Sequence, residues 1–235
     1  MVFARNVEGQ TLTFGVSGKL IMNALVMYDH QTESLWSQFL AESVDGEFDG
    51  TSLELIPALH TNWGTWSSLY PNTQALNKGS SNSFDPYESY YIDNRIGVLG
   101  ETNSDNRVSP KTIILGLRIG NVARAYSLDL MENEPVINDS SKDIPTLIAF
   151  DSDSGAGVVF NREIGGKILT FDLHKSEMEL DPMLIDRETE SVWEMLTGRA
   201  VEGSLAGQEL EQLPVTLAFW FAWKDFHPNT EIYGE

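Results

Sequence analysis

Along most of this chain, apolar and polar residues alternate in short runs broken by glycine-containing steps, which predicts strands joined by tight turns. "VVFNREIGGKILTFDL" is two such runs about a Gly-Gly step, a hairpin signal, and "VFARNVEGQTLTFGV" repeats it about Glu-Gly. "ILGLRIGNVARAYSL" predicts a further hairpin turning at Gly-Asn, followed by another apolar run before "DSDSGAG". Only two segments suggest helix. "TNWGTWSSLYP" and "AFWFAWKDFHP" each place two tryptophans three positions apart, on one helical face, with a proline closing the segment. The expected class is mainly β, a β-rich α+β fold.

The pattern is written nearly twice. Residues 3 to 73 lie on residues 160 to 230 at a constant offset of 157 without a gap, giving about 22 identities in 71 positions. All six tryptophans fall into pairs: Trp36 with Trp193, Trp63 with Trp220, and Trp66 with Trp223. Large aromatics dominate core energetics, so their pairing predicts that both copies build the same core. The expected organisation is a first copy over 1–76, a connecting segment over 77–110 rich in Ser, Asn, Asp and Tyr, and a second, complete copy over 111–235. The hairpins preceding the second copy have no counterpart ahead of Met1, so the first copy is expected to lack its N-terminal strands and to leave an open sheet edge, an invitation to homodimerisation.

Within both copies stands D-x-x-T-E-S-x-W: Asp29, Thr32, Ser34 and Trp36, then Asp186, Thr189, Ser191 and Trp193. An Asp ending an apolar run accepts hydrogen bonds from amides two or three residues on, and the Thr and Ser hydroxyls do likewise. The favoured expectation is therefore a side-chain-held corner, and the alternative is a pair of related ligand sites.

Charge narrows the partners. Fifteen Lys and Arg against 35 Asp and Glu leave a formal charge of −20, which disfavours nucleic acid and anionic lipid surfaces. No apolar run approaches the roughly 18 residues that span a bilayer, and no signal-peptide core opens the chain. Cysteine is absent, so disulfides and thiolate chemistry are excluded, and no phosphate-cradling glycine loop points to a nucleotide cofactor. Calcium is the cofactor that the acid surplus would suit. Asp45, Glu47 and Asp49 in "DGEFDG" alternate before a glycine, although the twelfth loop position is Ile56 rather than Glu. Asp151 and Asp153 in "DSDSG" form a second acidic turn. For nucleophilic catalysis the weak candidates are Ser17 in "GVSG", where Lys19 breaks the nucleophile-elbow pattern, with Asp29, His30, His174 and His227; His60 completes the histidines. His174 and Met178, four apart, would suggest soft-metal binding on a helix, but in a β-rich segment that spacing does not put them on one helical face.

"LTFGVSGKL", "LVMYDHQTESLWSQ", "GTSLELIPA", "LGLRIGNVARAYSL" with "VIND", and "FWFAWKDFHPNTEIY" together resemble the bacterial and archaeal family called domain of unknown function 3179. The resemblance spans nearly the whole chain and implies an exported protein: periplasmic, secreted or lipid-anchored. The Cys-Pro-Leu-Cys stretch usual in that family has no counterpart in this sequence. Two functional expectations stand side by side: a calcium-dependent hydrolase of small esters or lactones, and a non-catalytic module that binds a small molecule or a protein partner.

Overall fold

The computed structural model describes residues 1–77, 87–174 and 182–235. The first stretch carries β1 (Val2–Phe3), β2 (Asn6–Val7), β3 (Gln10–Thr11), β4 (Phe14–Ile21), β5 (Ala24–Asp29), β6 (Leu35–Ser37), β7 (Glu42–Asp45), β8 (Leu55–Ile56) and α1 (Trp63–Leu69). The middle carries α2 (Glu88–Ile92), β9 (Ile113–Ile119), β10 (Val122–Ser127), α3 (Leu128–Met131), β11 (Val136–Ser141) and β12 (Ile144–Asp151). Then follow β13 (Ala156–Asn161), β14 (Glu163–Ile164), β15 (Lys167–Ile168), β16 (Phe171–His174), β17 (Met183–Asp186), β18 (Val192–Glu194), β19 (Ala200–Glu202), β20 (Gln212–Leu213), β21 (Val215–Phe219), α4 (Trp220–Phe226) and β22 (Glu231–Ile232). The protein is mainly β, and among the described residues the strands pair antiparallel except where β10 runs parallel to β22.

Strands β4-β5-β6-β7 form one antiparallel meander and β16-β17-β18-β19 another. Trp36 and Trp193, both fully buried, anchor the cores beneath these sheets, each met edge-on by a phenylalanine, Phe14 or Phe171. A further sheet, β21-β9-β10-β22, packs Ile114 and Ala125 under Trp220 and Trp223 of α4. Gly116 permits that approach, since a Cβ there would lie 2.4 Å from the Trp223 ring. The sheet β11-β12-β13-β20 supplies the apolar centre, and Pro145–Phe150 of β12 are buried at every position. Leu59 and Leu69 of the first stretch pack on the core around Trp193, and Phe39 stacks on Phe226 at 4.7 Å.

Two expectations change. The Gly-Gly and Glu-Gly hairpins exist, but only as the two-residue pairs β14–β15 and β2–β3. The turns are tight because Gly165 and Gly166, and likewise Glu8 and Gly9, adopt positive φ. The apolar run Val158–Phe160 instead lies in β13, between β12 and β20, where both its faces find apolar neighbours. The connecting segment is also better anchored than its composition suggests. It contains α2, and the Asn23 side chain accepts from the amides of Val98 and Leu99 while donating to Gly100 O. Buried Asp225 accepts from the Thr102 and Asn103 amides, and buried Lys224 pairs with Glu101 at 2.9 Å. These anchors lie far away in sequence, so local periodicity carries no trace of them. Residues 78–86 of that segment, and Met178, lie outside the described residues.

Candidate functional site

The D-x-x-T-E-S-x-W corner has the same construction in both places. Asp29 Oδ2 accepts from the Trp36 indole at 3.0 Å, and Asp186 Oδ2 from the Trp193 indole at 2.9 Å. The Thr32 and Thr189 amides each donate to an Asp Oδ1 at 2.6 Å, and the Thr hydroxyls bond both the carboxylate and the neighbouring serine. Ser34 Oγ in turn accepts from the Phe48 amide, and Ser191 Oγ from the Leu205 amide. Glu33 and Glu190 turn the chain at φ 60° and 57°. Both aspartates have no exposed surface. Burial alone would push the Asp29 carboxyl up, but hydrogen bonds from Trp36, Thr32 and Gln31 outweigh it and hold the pKa below the ordinary 3.8. A motif whose oxygens are spent on its own amides and indole acts as a corner brace.

The acidic turns are separate from one another. Asp45, Glu47 and Asp49 are exposed around buried Phe48, with Gly46 at φ 103° pressed against Ser34. Asp151 accepts from the Asp153 amide and the Ser154 hydroxyl, bracing the turn between β12 and β13. Among the described residues, no group of three or more His, Asp or Glu side chains is placed to hold a metal ion.

The nucleophile candidates are likewise dispersed. Ser17 sits in the bulge of β4 and donates to Val26 O at 2.5 Å, rather than to a histidine. His30 is exposed and edge-on to Tyr28. His174 ends β16 opposite Met183. His227 packs on the Trp223 ring at 4.2 Å, where burial, assisted by the positive charge of Arg118, lowers its pKa to about 4 and keeps the imidazole neutral.

What the structure brings together lies elsewhere, where the segment after β8 meets β9 and β21. An apolar hollow of about 330 Å³ is lined by Val2, Leu55, Ile56, Leu59, Leu115 and Val215. Beside it, sharing His60 and Leu217, opens a second, largely apolar-lined cleft of about 750 Å³ whose border also carries Thr61, Asn62, Lys111, Asp129, Glu132 and Ser154. The Thr61 hydroxyl is buried at this cleft without a hydrogen-bond partner among the described residues. Lys111 is already engaged: its ammonium bonds Tyr90 O and Asp93, 4.0 Å from the Tyr90 ring centre. The Asp129 and Glu132 carboxylates are exposed and have no cationic partner among the described residues, so the cleft presents negative charge. Apart from His60, none of these residues stands out in the sequence, because they come from five segments that meet only in the folded chain.

Fold and site together define a mainly β protein with short Trp-bearing helices, braced aspartate corners, and a cleft assembled from distant segments. The chain belongs to the family described as Protein of unknown function (DUF3179), whose model matches residues 1–230. No curated protein and no solved structure matches it. Among the described residues, no helix is long and apolar enough to cross a membrane.

Proposed function

We propose that the protein is a non-catalytic binding module, acting outside the cytoplasm, that holds a small cationic or polyhydroxylated molecule in the cleft between His60 and Glu132. The carrying observation is the pair of exposed carboxylates, Asp129 and Glu132, that border this cleft without a cationic partner among the described residues. The adjoining apolar hollow suits the carbon skeleton of such a ligand. The proposal includes that residues 1–76 and 111–235 are copies of one unit related by a pseudo-two-fold, a reading supported by their matched Asp-Trp corners and four-stranded meanders. The calcium-dependent hydrolase draws less support, because the acids of its two turns are exposed or spent on bracing and form no group of three ligands among the described residues.

The test is a set of thermal melts with choline, spermidine, glucose and citrate as probes. A cation or the sugar is expected to raise the midpoint, citrate to leave it unmoved, and the Asp129→Asn/Glu132→Gln double variant to abolish the rise. No response to any probe would remove the reading. Melts in chelator and then in millimolar calcium separate the alternatives, since a calcium-induced rise favours the metal-dependent enzyme.

A further inference from the structure

Between α2 and β9, residues 93–112 form neither helix nor strand, yet residues 97–107 are tied down along their length by side chains. The Tyr90 hydroxyl accepts from the Gly97 amide at 2.8 Å, and Asn23 holds residues 98–100. Asp225 accepts from the Thr102 and Asn103 amides at 2.9 and 2.7 Å, and the Trp220 indole donates to Asp105 O at 3.3 Å. The Glu101 carboxylate meets the Lys224 ammonium at 2.9 Å, and the Arg107 guanidinium lies 5.4 Å from the Trp220 ring centre. Among the described residues, no backbone-to-backbone hydrogen bond joins 97–107 to another element.

This strap covers more than it contributes. Beneath it Trp220 is fully buried, and Lys224 and Asp225 keep 1% and 2% of their surface exposed. Val98 and Leu99 are exposed, and within 97–108 Val108 alone packs on an apolar core among the described residues. Lifting the strap uncovers Trp220 but frees little apolar surface of the strap itself. It also returns water to two buried charges, whose lost hydration pairing repays only in part. A segment with few buried apolar contacts and no ladder of its own opens at a lower free energy than the sheets beneath it.

We propose that residues 97–107 are a latch that opens as one unit while the β-sheets stay folded, uncovering Trp220, Asp225 and Lys224 on α4. Lys224 is then a gated amine, inaccessible while Glu101 lies on it and open to acylating reagents when the latch lifts. The device is independent of the cleft at His60 and of any small ligand bound there.

The experiment follows native-state hydrogen exchange at the Thr102 and Asn103 amides and the Trp220 indole, together with acetylation of Lys224 by an N-hydroxysuccinimide ester, read by mass spectrometry. In the unmodified chain the three hydrogens are expected to exchange with one common protection, about a hundredfold faster than the amides of β12, and Lys224 to acetylate far more slowly than exposed Lys19. Glu101→Gln leaves an unpaired ammonium buried in the closed state alone, so it is expected to speed strap exchange and Lys224 acetylation together by about tenfold, with β12 unchanged. Asp225→Asn is expected to act the same way. Exchange of the strap at the rate of β12, or variants that speed both equally, overturns the proposal by making the strap part of the global fold. Acetylation of Lys224 at the rate of Lys19 overturns it by showing the strap open throughout.

Discussion

Among the described residues the Asp29 carboxylate is the sole acceptor for the Trp36 indole N–H, and it also receives the amides of Gln31 and Thr32. Asp29→Ala therefore strands buried donors, and a loss of roughly 3 kcal/mol is expected in urea unfolding, with a similar loss for Asp186→Ala. Because the folded pKa of Asp29 is depressed, its contribution is complete above about pH 3.8 and is lost as pH falls through the lowered folded value. His227 acts in a different window. Its folded pKa of about 4 lies below the ordinary 6.5, so the unfolded chain takes up a proton between these values while the folded chain does not. Stability should thus fall as pH drops from 6.5 towards 4. Tyr70 stands at the corresponding place in the first stretch and packs on Trp66 at 4.6 Å, so His227→Tyr is expected to keep the fold and flatten this slope in melts taken across the window. The braced corner was legible in the sequence, since an Asp, a Thr, a Ser and a Trp at that spacing need only each other. The neutral state of His227 was not, because it arises from burial against residues of other elements.

At the scale of elements, the helices α1 and α4 follow from tryptophans three apart and a closing proline, and both tryptophan indoles at the second position, Trp66 and Trp223, donate to a threonine seven residues on. What they pack against differs. α4 rests on the β9–β10 hairpin through Gly116, whose missing side chain admits the Trp223 ring. Gly116→Ala places a methyl group 2.4 Å from that ring, and overpacking of about 1–3 kcal/mol is expected in chemical denaturation. Its effect should be selective, lowering near-ultraviolet tryptophan ellipticity while leaving the Asp186 corner intact. The glycine itself was visible in "ILGLRIG", but a glycine inside a strand run does not announce which aromatic will cover it. The anchoring of residues 97–103 by Asn23 and Asp225 escaped notice for the same reason: a lone Asn or Asp signals a turn locally, and these two serve distant amides.

For the molecule as a whole, a formal charge of −20 surrounds the cleft that Asp129 and Glu132 border, and a cationic ligand would gain from that field. A ligand present at a hundred times its dissociation constant adds about 2.7 kcal/mol to the folded state, which for a chain of this size raises the melting midpoint by roughly 5 to 10 °C. That shift, read with choline or spermidine and erased by Asp129→Asn/Glu132→Gln, is the outcome expected at this scale. The mainly β class, the short helices, the corner motif and the family were settled by sequence alone, because each rests on spacings within a strand, a turn or a helix face. The cleft around His60, the bracing of the connecting segment and the environment of His227 were decided by tertiary structure. Each depends on which distant surfaces meet, and apolar burial, which drives that meeting, is non-directional and leaves no mark at the positions it joins.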